Sequence, residues 1–288
     1  MSPTPRISPS RYLTPSFVNQ YHIAEKLTGV FVPPLVEHSG ILTPSPTPLV
    51  IFDNACGLGI VSSYLNRTLG DDVKKNWSLT CGDATEMMVH YTKTRIEKEG
   101  WVGAEARVVD AQDTGLEGGK YTHVFTAFAF MMIPNARAAM KECFRILQPG
   151  GILATSTWKI STWFVLIKEA IDGMPSDLKF PTMKEFLALH NEGWDEESFV
   201  KERFEEEGFQ DVKVTAVTRE TSLTIDEFMD VSQMILTIVI GAVWTPEQRE
   251  QHEADVPGVV RKFLEERFGV DGVVNMEPVA VIAVGRKP

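Results

Sequence analysis

The feature that most constrains this chain is a regular alternation of short β-branched runs with helical stretches, which begins at Leu49. Strands are predicted at 49–53, 78–81, 106–109, 121–125 and 152–157, and helices at 62–69, 85–99 and 136–147. Parallel strands need a crossover connection, which is usually a helix, so this alternation predicts βαβ units and a parallel sheet. The segment 49–158 is therefore expected to be an α/β core that binds a cofactor.

The segment before this core predicts a helical cover. Residues 1–16 are rich in Ser, Thr and Pro and are expected to be flexible. Apolar residues at spacings close to three and four then predict an amphipathic helix over 17–39, and a second Pro-rich stretch at 42–48 acts as a linker. Residues 17–48 are thus expected to form a cap helix and its linker.

The segment after the core is less regular. Residues 159–210 are expected to hold a helical cap and the last core helix. Residues 211–288 are expected to supply the final strands, at 211–217 and 279–285. A mostly helical block at 225–268 is inserted before the last strand, where it is expected to act as a lid.

Composition and charge exclude several classes of function. The formal net charge of -11 and a pI near 5.1 give no electrostatic footprint for nucleic acid. Cys56, Cys81 and Cys143 are an odd number set far apart in apolar runs, so no disulfide or zinc framework is expected, and a reducing, cytoplasmic compartment fits best. The apolar stretch 231–244 is shorter than the ~20 residues of a membrane span and is expected to be a buried helix. The segment 1–16 lacks the apolar core of a signal peptide.

The sharpest local signal is an apolar strand, 50–53, that runs into a Gly-x-Gly turn formed by Gly57 and Gly59. Glycine lets a backbone approach a ligand closely, and the N-terminus of the following helix presents unpaired N–H groups. A dinucleotide fingerprint would need a third small residue at the position of Ser62. An NAD-dependent dehydrogenase is therefore disfavoured, and a purely structural turn stays open.

Carboxylates follow three predicted strands at the edge where ligands of a doubly wound sheet bind. Asp53 ends the first strand, Asp83 follows the second and Asp110 ends the third. Asp83 is placed to accept two ribose hydroxyls, and Asp110 with the Ala111 backbone to meet an adenine. Each has a structural alternative: Asp53 as a strand-end cap, Asp83 as a helix cap and Asp110 as a turn residue.

These motifs, over about 49–158, resemble those of the class I S-adenosylmethionine-dependent methyltransferases, including the subgroup of the ubiquinone-biosynthesis C-methyltransferases. The resemblance implies a Rossmann-like, doubly wound sheet of seven mostly parallel strands. It implies S-adenosylmethionine as cofactor and S-adenosylhomocysteine as product. The cofactor-binding residues that we predict are Tyr21, Asp53, Ala55, Gly57, Gly59, Asp83, Ala84, Asp110, Ala111, Ala127 and Phe128.

A second resemblance runs over nearly the whole chain, to the fungal bis-thiomethyltransferases of the gliotoxin type. The segments that carry it are 53–57 (DNACG), 79–83 (LTCGD), 121–125 (YTHVF), 141–147 (KECFRIL), 156–158 (STW), 184–186 (KEF) and 189–191 (LHN). It implies S-methylation of both thiols of a reduced epidithiodioxopiperazine, which would detoxify the compound or down-regulate its pathway. The segment 128–132, which should face the acceptor, departs from the pattern of that family.

A thiol acceptor needs no strong protein base, because it is a few per cent thiolate at neutral pH and positioning supplies most of the rate. No catalytic residue is therefore assigned, and His123 is expected to be a strand residue rather than a base. The residues that we predict to line the acceptor pocket are Phe17, Phe130, Met131, Trp158 and Trp163. The same aromatic residues would equally fit a hydrophobic core.

Other functions stay open. The same fold could methylate oxygen, nitrogen or carbon of another secondary metabolite, or bind the cofactor without turnover as a regulator. The expected partner is a small-molecule acceptor, with no metal, nucleic acid or membrane. The oligomeric state is left open, and a monomer fits the sequence.

Overall fold

Nine strands form in the residues described by the computed structural model, which are 15–44, 47–175, 177–189 and 191–288. They are β1 (Val50–Asn54), β2 (Ser78–Asp83), β3 (Ala104–Val108), β4 (Tyr121–Ala127), β5 (Leu147–Ile160), β6 (Gln210–Thr218), β7 (Thr221–Thr224), β8 (Val273–Met276) and β9 (Val279–Arg286). Seven make one sheet in the order β3-β2-β1-β4-β5-β9-β6. Strands β1 to β5 pair in parallel and β9 runs antiparallel to both neighbours, so the predicted seven-stranded, mostly parallel sheet is confirmed.

The order of the strands reverses at β1, which pairs with β2 on one side and with β4 on the other. A doubly wound sheet binds its ligands outside the carboxyl ends of the strands at such a switch point. Four of the five residues of β1 are buried, and its apolar residues Val50 to Phe52 are followed by the buried polar Asp53 and Asn54. A ligand site is therefore expected among the residues that follow β1, β2 and β4.

Twelve α-helices surround the sheet in the described part of the chain. They are α1 (Pro15–Thr28), α2 (Val32–His38), α3 (Ile60–Thr68), α4 (Asp71–Lys74), α5 (Glu86–Glu99), α6 (Ala136–Ile146), α7 (Thr162–Ile171), α8 (Met183–Ala188), α9 (Glu197–Glu207), α10 (Ile225–Val243), α11 (Pro246–His252) and α12 (Val256–Phe268). Ile51 and Phe52 are both fully buried but belong to different hydrophobic clusters, because successive strand residues point to opposite faces. Both faces of the sheet are thus covered.

The prediction of one continuous helix over 17–39 is wrong, because this segment forms two helices. A 3-10 turn at Gly29–Phe31 separates α1 from α2. Pro33 and Pro34 lie in the first turn of α2, where the N–H group that proline lacks would have had no partner in the helix. The two prolines therefore begin a new helix instead of continuing the first. Of the flexible segment predicted at 1–16, only the backbone of residues 15 and 16 is described, so that prediction is untested.

The block predicted as helical at 225–268 is formed by α10, α11 and α12 and has these bounds in the structure. Two short strands that the sequence did not reveal flank it, since β7 pairs antiparallel with β8. Thr224 ends β7 and also caps α10: its hydroxyl oxygen accepts the Glu227 N–H, and the Glu227 carboxylate accepts the Thr224 N–H. The block is thus anchored at both ends on a small ladder, which we call the lid ladder.

Strand β5 is longer than its predicted range 152–157, whereas the stretch 231–244 lies in a helix as expected. The strand begins at Leu147, and its register against β4 shifts between Tyr121 and His123. The apolar stretch 231–244 falls on α10, which packs against α1 and α12. In the part of the chain that the structure describes, no helix has both the length and the apolar composition for a membrane crossing.

Candidate functional site

The turn between β1 and α3, residues 55–59, brings the backbone to the surface of the sheet's carboxyl edge; we call it the glycine turn. Ala55, Gly57 and Gly59 have φ angles of 53°, 55° and 77°. These left-handed values favour glycine at the latter two positions. The Cys56 N–H donates to a carbonyl of β2 at 2.9 Å, and Gly59 precedes the first residue of α3. The predicted Gly-x-Gly motif is therefore a tight turn at a helix N-terminus.

Asp83 holds the glycine turn from the neighbouring strand. Its Oδ2 accepts the Gly57 N–H at 3.0 Å, and its Oδ1 accepts the Thr85 N–H at 2.9 Å. Burial raises the pKa of the Asp83 carboxyl. A carboxylate offers about four lone-pair positions, so Asp83 keeps acceptor capacity for a ribose hydroxyl. The next residue, Ala84, is exposed.

Asp53 lies beneath the glycine turn and is 1 % exposed. Its Oδ2 accepts both the Ser62 N–H at 3.1 Å and the Ser62 hydroxyl at 2.6 Å. Burial raises the Asp53 pKa to about 7 although these bonds oppose the shift, and the charge of Asp83 raises it further. Ser62, which departs from the dinucleotide fingerprint, thus binds the buried Asp53 carboxylate here. Sequence reasoning noted it only as a mismatch.

Tyr21 reaches from α1 onto the glycine turn. A Cβ added at Gly57 would lie 2.8 Å from the Tyr21 hydroxyl oxygen, so only glycine leaves room for this approach. Burial, and next the charge of Asp83, raise the pKa of the Tyr21 phenol. The structure therefore brings Tyr21 to the predicted cofactor residues. Phe17 belongs to the same helix, but its side chain lies outside the described residues.

Arg95 of α5 joins the glycine turn to α1, and sequence reasoning missed it. One terminal nitrogen, Nη1, donates to the Leu58 carbonyl at 3.0 Å and to the Glu25 carboxylate at 3.0 Å. Its Nε donates to Glu99 at 2.8 Å. Thr92, one helical turn earlier, donates to the Gly57 carbonyl at 3.0 Å. A charged helix face carries no local signal for such contacts, because the hydrogen-bond partners of Arg95 outside its own helix are distant in sequence.

The end of β3 lies beside Asp83, because the Val109 N–H donates to the Asp83 carbonyl at 2.9 Å. The Asp110 side chain is exposed and accepts from the Gln112 N–H at 2.8 Å and from its side-chain amide at 3.0 Å. This arrangement has the form of a turn, which was the structural alternative for Asp110. Ala111 is buried next to it. The adenine role of Asp110 and Ala111 stays a prediction.

Aromatic side chains gather beyond the end of β4. Phe128 follows the half-buried Ala127, has a left-handed φ of 53° and donates its N–H to the Ser156 carbonyl at 2.8 Å. Its ring centroid lies 4.3 Å from that of Trp158, and Phe31 lies 5.7 Å from both. We call Phe31, Phe128 and Trp158 the aromatic cluster. Phe31 was not predicted, because it follows α1 and reaches the cluster only through tertiary folding.

Two of the remaining predicted pocket residues are buried, and Trp163 is half-buried. Phe130 is fully buried and stacks on Trp194 with 5.0 Å between centroids, and Met131 is 5 % exposed. Both therefore pack in the core behind the loop that follows β4. Trp163 of α7 donates its indole N–H to the Ser232 hydroxyl of α10 at 2.8 Å, which joins the helix after β5 to the lid block. Their roles as pocket walls stay predictions.

No strong base stands among these residues. His123 lies near the first residue of β4, at the opposite end of the strand from the aromatic cluster, and burial lowers its pKa to about 4. The Cys56 thiol contacts Cys81, and this contact together with burial raises the Cys56 pKa well above its usual range. Within the described residues, no group of three or more His, Cys, Asp or Glu side chains is placed to hold a metal.

Comparison with known proteins identifies relatives over most of the chain. Residues 52–155 match the sequence pattern of a family described as a methyltransferase domain. Methyltransferase tpcH of Aspergillus fumigatus is 48% identical over 273 residues, covering 95% of this chain and 97% of that protein. Acetylaranotin bis-thiomethyltransferase of Aspergillus terreus is 43% identical over 277 residues, covering 96% of each.

A solved structure supports the fold. Phosphoethanolamine N-methyltransferase 2 of Haemonchus contortus, in complex with S-adenosyl-L-methionine, superposes with a TM-score of 0.54 and 13% identity, covering 96% of this chain and 61% of that chain. At this identity the likeness concerns the fold alone.

Proposed function

Since the chain belongs to the class I S-adenosylmethionine-dependent methyltransferases, we propose that it methylates thiol groups of a small secondary metabolite. The observation that carries the cofactor site is the arrangement in which Asp83 binds the glycine turn while Asp53 lies buried beneath it. The observation that carries the acceptor is the 43% identity to a protein named as a bis-thiomethyltransferase.

The residues around the glycine turn fit S-adenosylmethionine by shape and by charge. Gly57 leaves room for Tyr21 to close over the turn, since a Cβ there would lie 2.8 Å from the Tyr21 hydroxyl oxygen, and Asp83 keeps free acceptor capacity for a ribose. The cofactor carries an ammonium and a sulfonium, and Asp53 and Asp83 supply carboxylates for the cationic part. Asp53 would accept from the ammonium, Asp83 from the ribose, and Asp110 and Ala111 would hold the adenine.

When bound, the cofactor supplies an electrophilic methyl group. The chain's own part is to hold the acceptor sulfur in line with that methyl, since well-aligned groups reach effective molarities of order 10⁵ M or more. An acceptor thiol that has given its proton to bulk water before it enters would take up this methyl group as a thiolate, and S-adenosylhomocysteine would leave as the product. Phe128 and Trp158 would form the wall of this space and exclude water. Their ring faces would also stabilise the positive charge by roughly 0.5–2 kcal/mol.

The acceptor that we propose is the reduced, dithiol form of an epidithiodioxopiperazine such as gliotoxin. Methylating both sulfurs prevents the disulfide from forming again, which would detoxify the compound or withdraw it from its pathway. A dithiol persists in a reducing compartment, so we place the enzyme in the cytoplasm. The acidic net charge of -11 agrees with a small-molecule acceptor rather than nucleic acid.

A mass-spectrometric assay tests the acceptor. The enzyme is incubated with S-adenosylmethionine and a panel of chemically reduced dithiol dioxopiperazines, alongside phenols, amines and simple thiols. We expect mass gains of one and then two methyl groups on the dithiols alone. Turnover of a phenol or amine instead would replace the thiol acceptor with another class. Tight cofactor binding without any turnover would point to a regulatory protein.

A further inference from the structure

The loop that follows β4, residues 128–135, is held from outside by two side chains: Gln112 Oε1 accepts the Asn135 N–H at the loop's end at 3.0 Å, and Asn191 binds its middle. We call it the acceptor loop, because it begins at the aromatic cluster. Inside the loop, the N–H groups of Met132 and Ile133 donate to the Ala129 carbonyl at 2.8 and 3.1 Å. This bonding leaves the carbonyls of Phe130, Met131 and Ile133 without a partner in the loop's own turn.

Asn191 binds all three of those carbonyls. Its Nδ2 lies 2.6 Å from the Ile133 oxygen and 3.3 Å from the oxygens of Phe130 and Met131. Carbonyl oxygens only accept, so the amide nitrogen and not its oxygen must face them. An amide has two N–H groups, and hence one N–H serves Ile133 while the other is shared between the remaining two carbonyls. These contacts join sequence positions 58 to 61 residues apart.

The segment that carries Asn191 is itself fixed to the sheet. The Asn191 N–H donates to the Leu187 carbonyl at 2.7 Å, at the end of α8. Three residues later Trp194 stacks on Phe130, and its carbonyl accepts the Thr157 hydroxyl of β5 at 2.6 Å. The amide therefore connects the acceptor loop to an element that is anchored on β5. The hydrogen bonds of Asn191 go to the acceptor loop and to Leu187, and none goes to the glycine turn or to Asp83.

We propose that Asn191 is a positioning residue for the acceptor: it sets the path of the acceptor loop, and through it the place of Phe128, without acting on the cofactor. The inference deepens the proposed function and rests on it, since it assigns the acceptor to this side of the sheet. A residue of this kind explains how acceptor geometry is specified by a position more than sixty residues from Phe128.

The first experiment measures the loop without any acceptor, by hydrogen–deuterium exchange with peptide mass spectrometry. In Asn191→Ala we expect faster exchange of peptides covering 129–135, because the carbonyls lose their donor, and unchanged exchange of peptides covering 55–62. Asn135→Ala is the matched control, since Asn135 belongs to the same loop but caps α6 through the Ala138 N–H. Unchanged exchange at 129–135 in Asn191→Ala would overturn the proposal.

The second experiment separates acceptor from cofactor. For the acceptor that the wild-type enzyme turns over fastest in the mass-spectrometric panel, we expect kcat/KM to fall at least tenfold in Asn191→Ala, with the Kd for S-adenosylmethionine within twofold of wild type. Asn191→Asp should be worse, because it sets a carboxylate against three carbonyls. Asn191→Gln should recover part of the loss, since it keeps the donors on a longer side chain.

The outcomes that would overturn this proposal differ from those that would overturn the proposed function. If the wild type methylates no dithiol but another acceptor, the thiol assignment fails while the loop measurement and the kcat/KM comparison still stand. Equal losses of cofactor affinity and of kcat/KM would show a general structural role for Asn191 and would overturn the proposal. So would a defect of the same size in Asn135→Ala.

Discussion

The two halves of the site are built differently. On the cofactor side, the glycine turn is fixed by directed bonds: Asp83 accepts from Gly57, Thr92 donates to Gly57, and Arg95 donates to Leu58. On the acceptor side, the aromatic cluster meets through ring contacts of 4.3–5.7 Å, and hydrogen bonds from Asn191 hold only the loop beside it. Hydrogen bonds fix atoms to within tenths of an ångström, whereas ring packing tolerates a change of shape.

This difference suggests how one fold serves many acceptors. The cofactor is the same throughout a methyltransferase family, so its side of the site can rely on backbone groups and carboxylates at set positions after β1 and β2. The acceptor varies, and a wall of side chains that pack without direction can change while the sheet stays the same. Affinity for the cofactor and selectivity for the acceptor should therefore respond to different substitutions.

The largest effect should come from removing the N-terminal cover, because α1 touches both halves. A protein that lacks residues 1–30 loses Tyr21 from the glycine turn and the helix that packs against α10. We expect turnover to fall by at least ~10²-fold, the scale of a misplaced reacting group. Cofactor affinity should weaken, while circular dichroism shows the sheet still folded. Wild-type activity in the shortened protein would refute the idea that α1 closes the site.

The next effect is confined to the cofactor side. Asp83→Ala removes the proposed ribose acceptor and also leaves the Gly57 and Thr85 N–H groups without the carboxylate that they bind. We expect a loss of ~1–3 kcal/mol, the scale of a stranded buried donor, or roughly 5- to 150-fold in the Kd for S-adenosylmethionine. Isothermal titration calorimetry measures it, with the exposed Asp72→Ala as control. Unchanged affinity would remove Asp83 from the site.

The pH dependence of cofactor binding tests the buried acid. Burial raises the Asp53 pKa to about 7, and the ionised form is the one that attracts an ammonium. Between pH 5.5 and 7 the Kd for S-adenosylmethionine should therefore fall as pH rises, by up to about tenfold per unit well below the pKa. Asp53→Asn should bind more weakly and flatten the profile. A steep profile in that variant would assign the dependence to another group.

The same acid has an opposite effect on the stability of the cofactor-free protein. Its folded pKa lies above the ordinary value of 3.8, so the folded state holds the extra proton between those two pH values. Stability is greatest below pH 3.8 as far as this group is concerned, and it falls as pH rises through 7. Asp53→Asn should therefore raise the free energy of unfolding at pH 8 by roughly 2–4 kcal/mol. Denaturant titration checks this, with Asp72→Asn as control.

The features that could be predicted from the sequence lie mainly on the cofactor side of the proposed site. The glycine turn, Asp53 and Asp83 stand within a few residues of predicted strands, so their positions follow from the alternation of strands and helices. The place of Tyr21 near the cofactor was predicted only from the resemblance to a family, because apolar spacing predicts a helix but not which part of the sheet that helix covers. The fold was predicted down to the bounds of the block at 225–268, while the four-residue strands of the lid ladder were too short to show a period.

The acceptor side shows why the rest could not be predicted. Phe31 reaches the aromatic cluster only because Pro33 and Pro34 end one helix and start another, which places the 3-10 turn against β5. Phe130 was expected to line a pocket, but its position is set by Trp194, sixty-four residues away, on which it stacks. A stripe of aromatic residues after a strand looks the same whether it lines a pocket or fills the core.

The smallest effect that we predict concerns the two ion pairs that attach α1 to the rest of the protein. Towards the acceptor cover, α1 forms an ion pair between Lys26, 51 % exposed, and Glu227 of α10. Towards the cofactor side, Glu25 and Arg95 pair at 15 % and 14 % exposure. Exposed pairs contribute about 0.2–1 kcal/mol and are screened by salt, so Lys26→Gln should change the free energy of unfolding by no more than this and by less in high salt.

Glu25→Gln is the matched comparison. This substitution leaves the largely buried Arg95 side chain with one carboxylate fewer, so it should lower the free energy of unfolding by more, roughly 1–3 kcal/mol. It should also weaken cofactor binding, because Arg95 donates to Leu58 of the glycine turn. Denaturant titrations at low and high salt measure both variants. If Lys26→Gln proved the more costly of the two, α1 would be held mainly by the lid block. The cover would then belong to the acceptor side of the site, and its closure would report acceptor binding rather than cofactor binding.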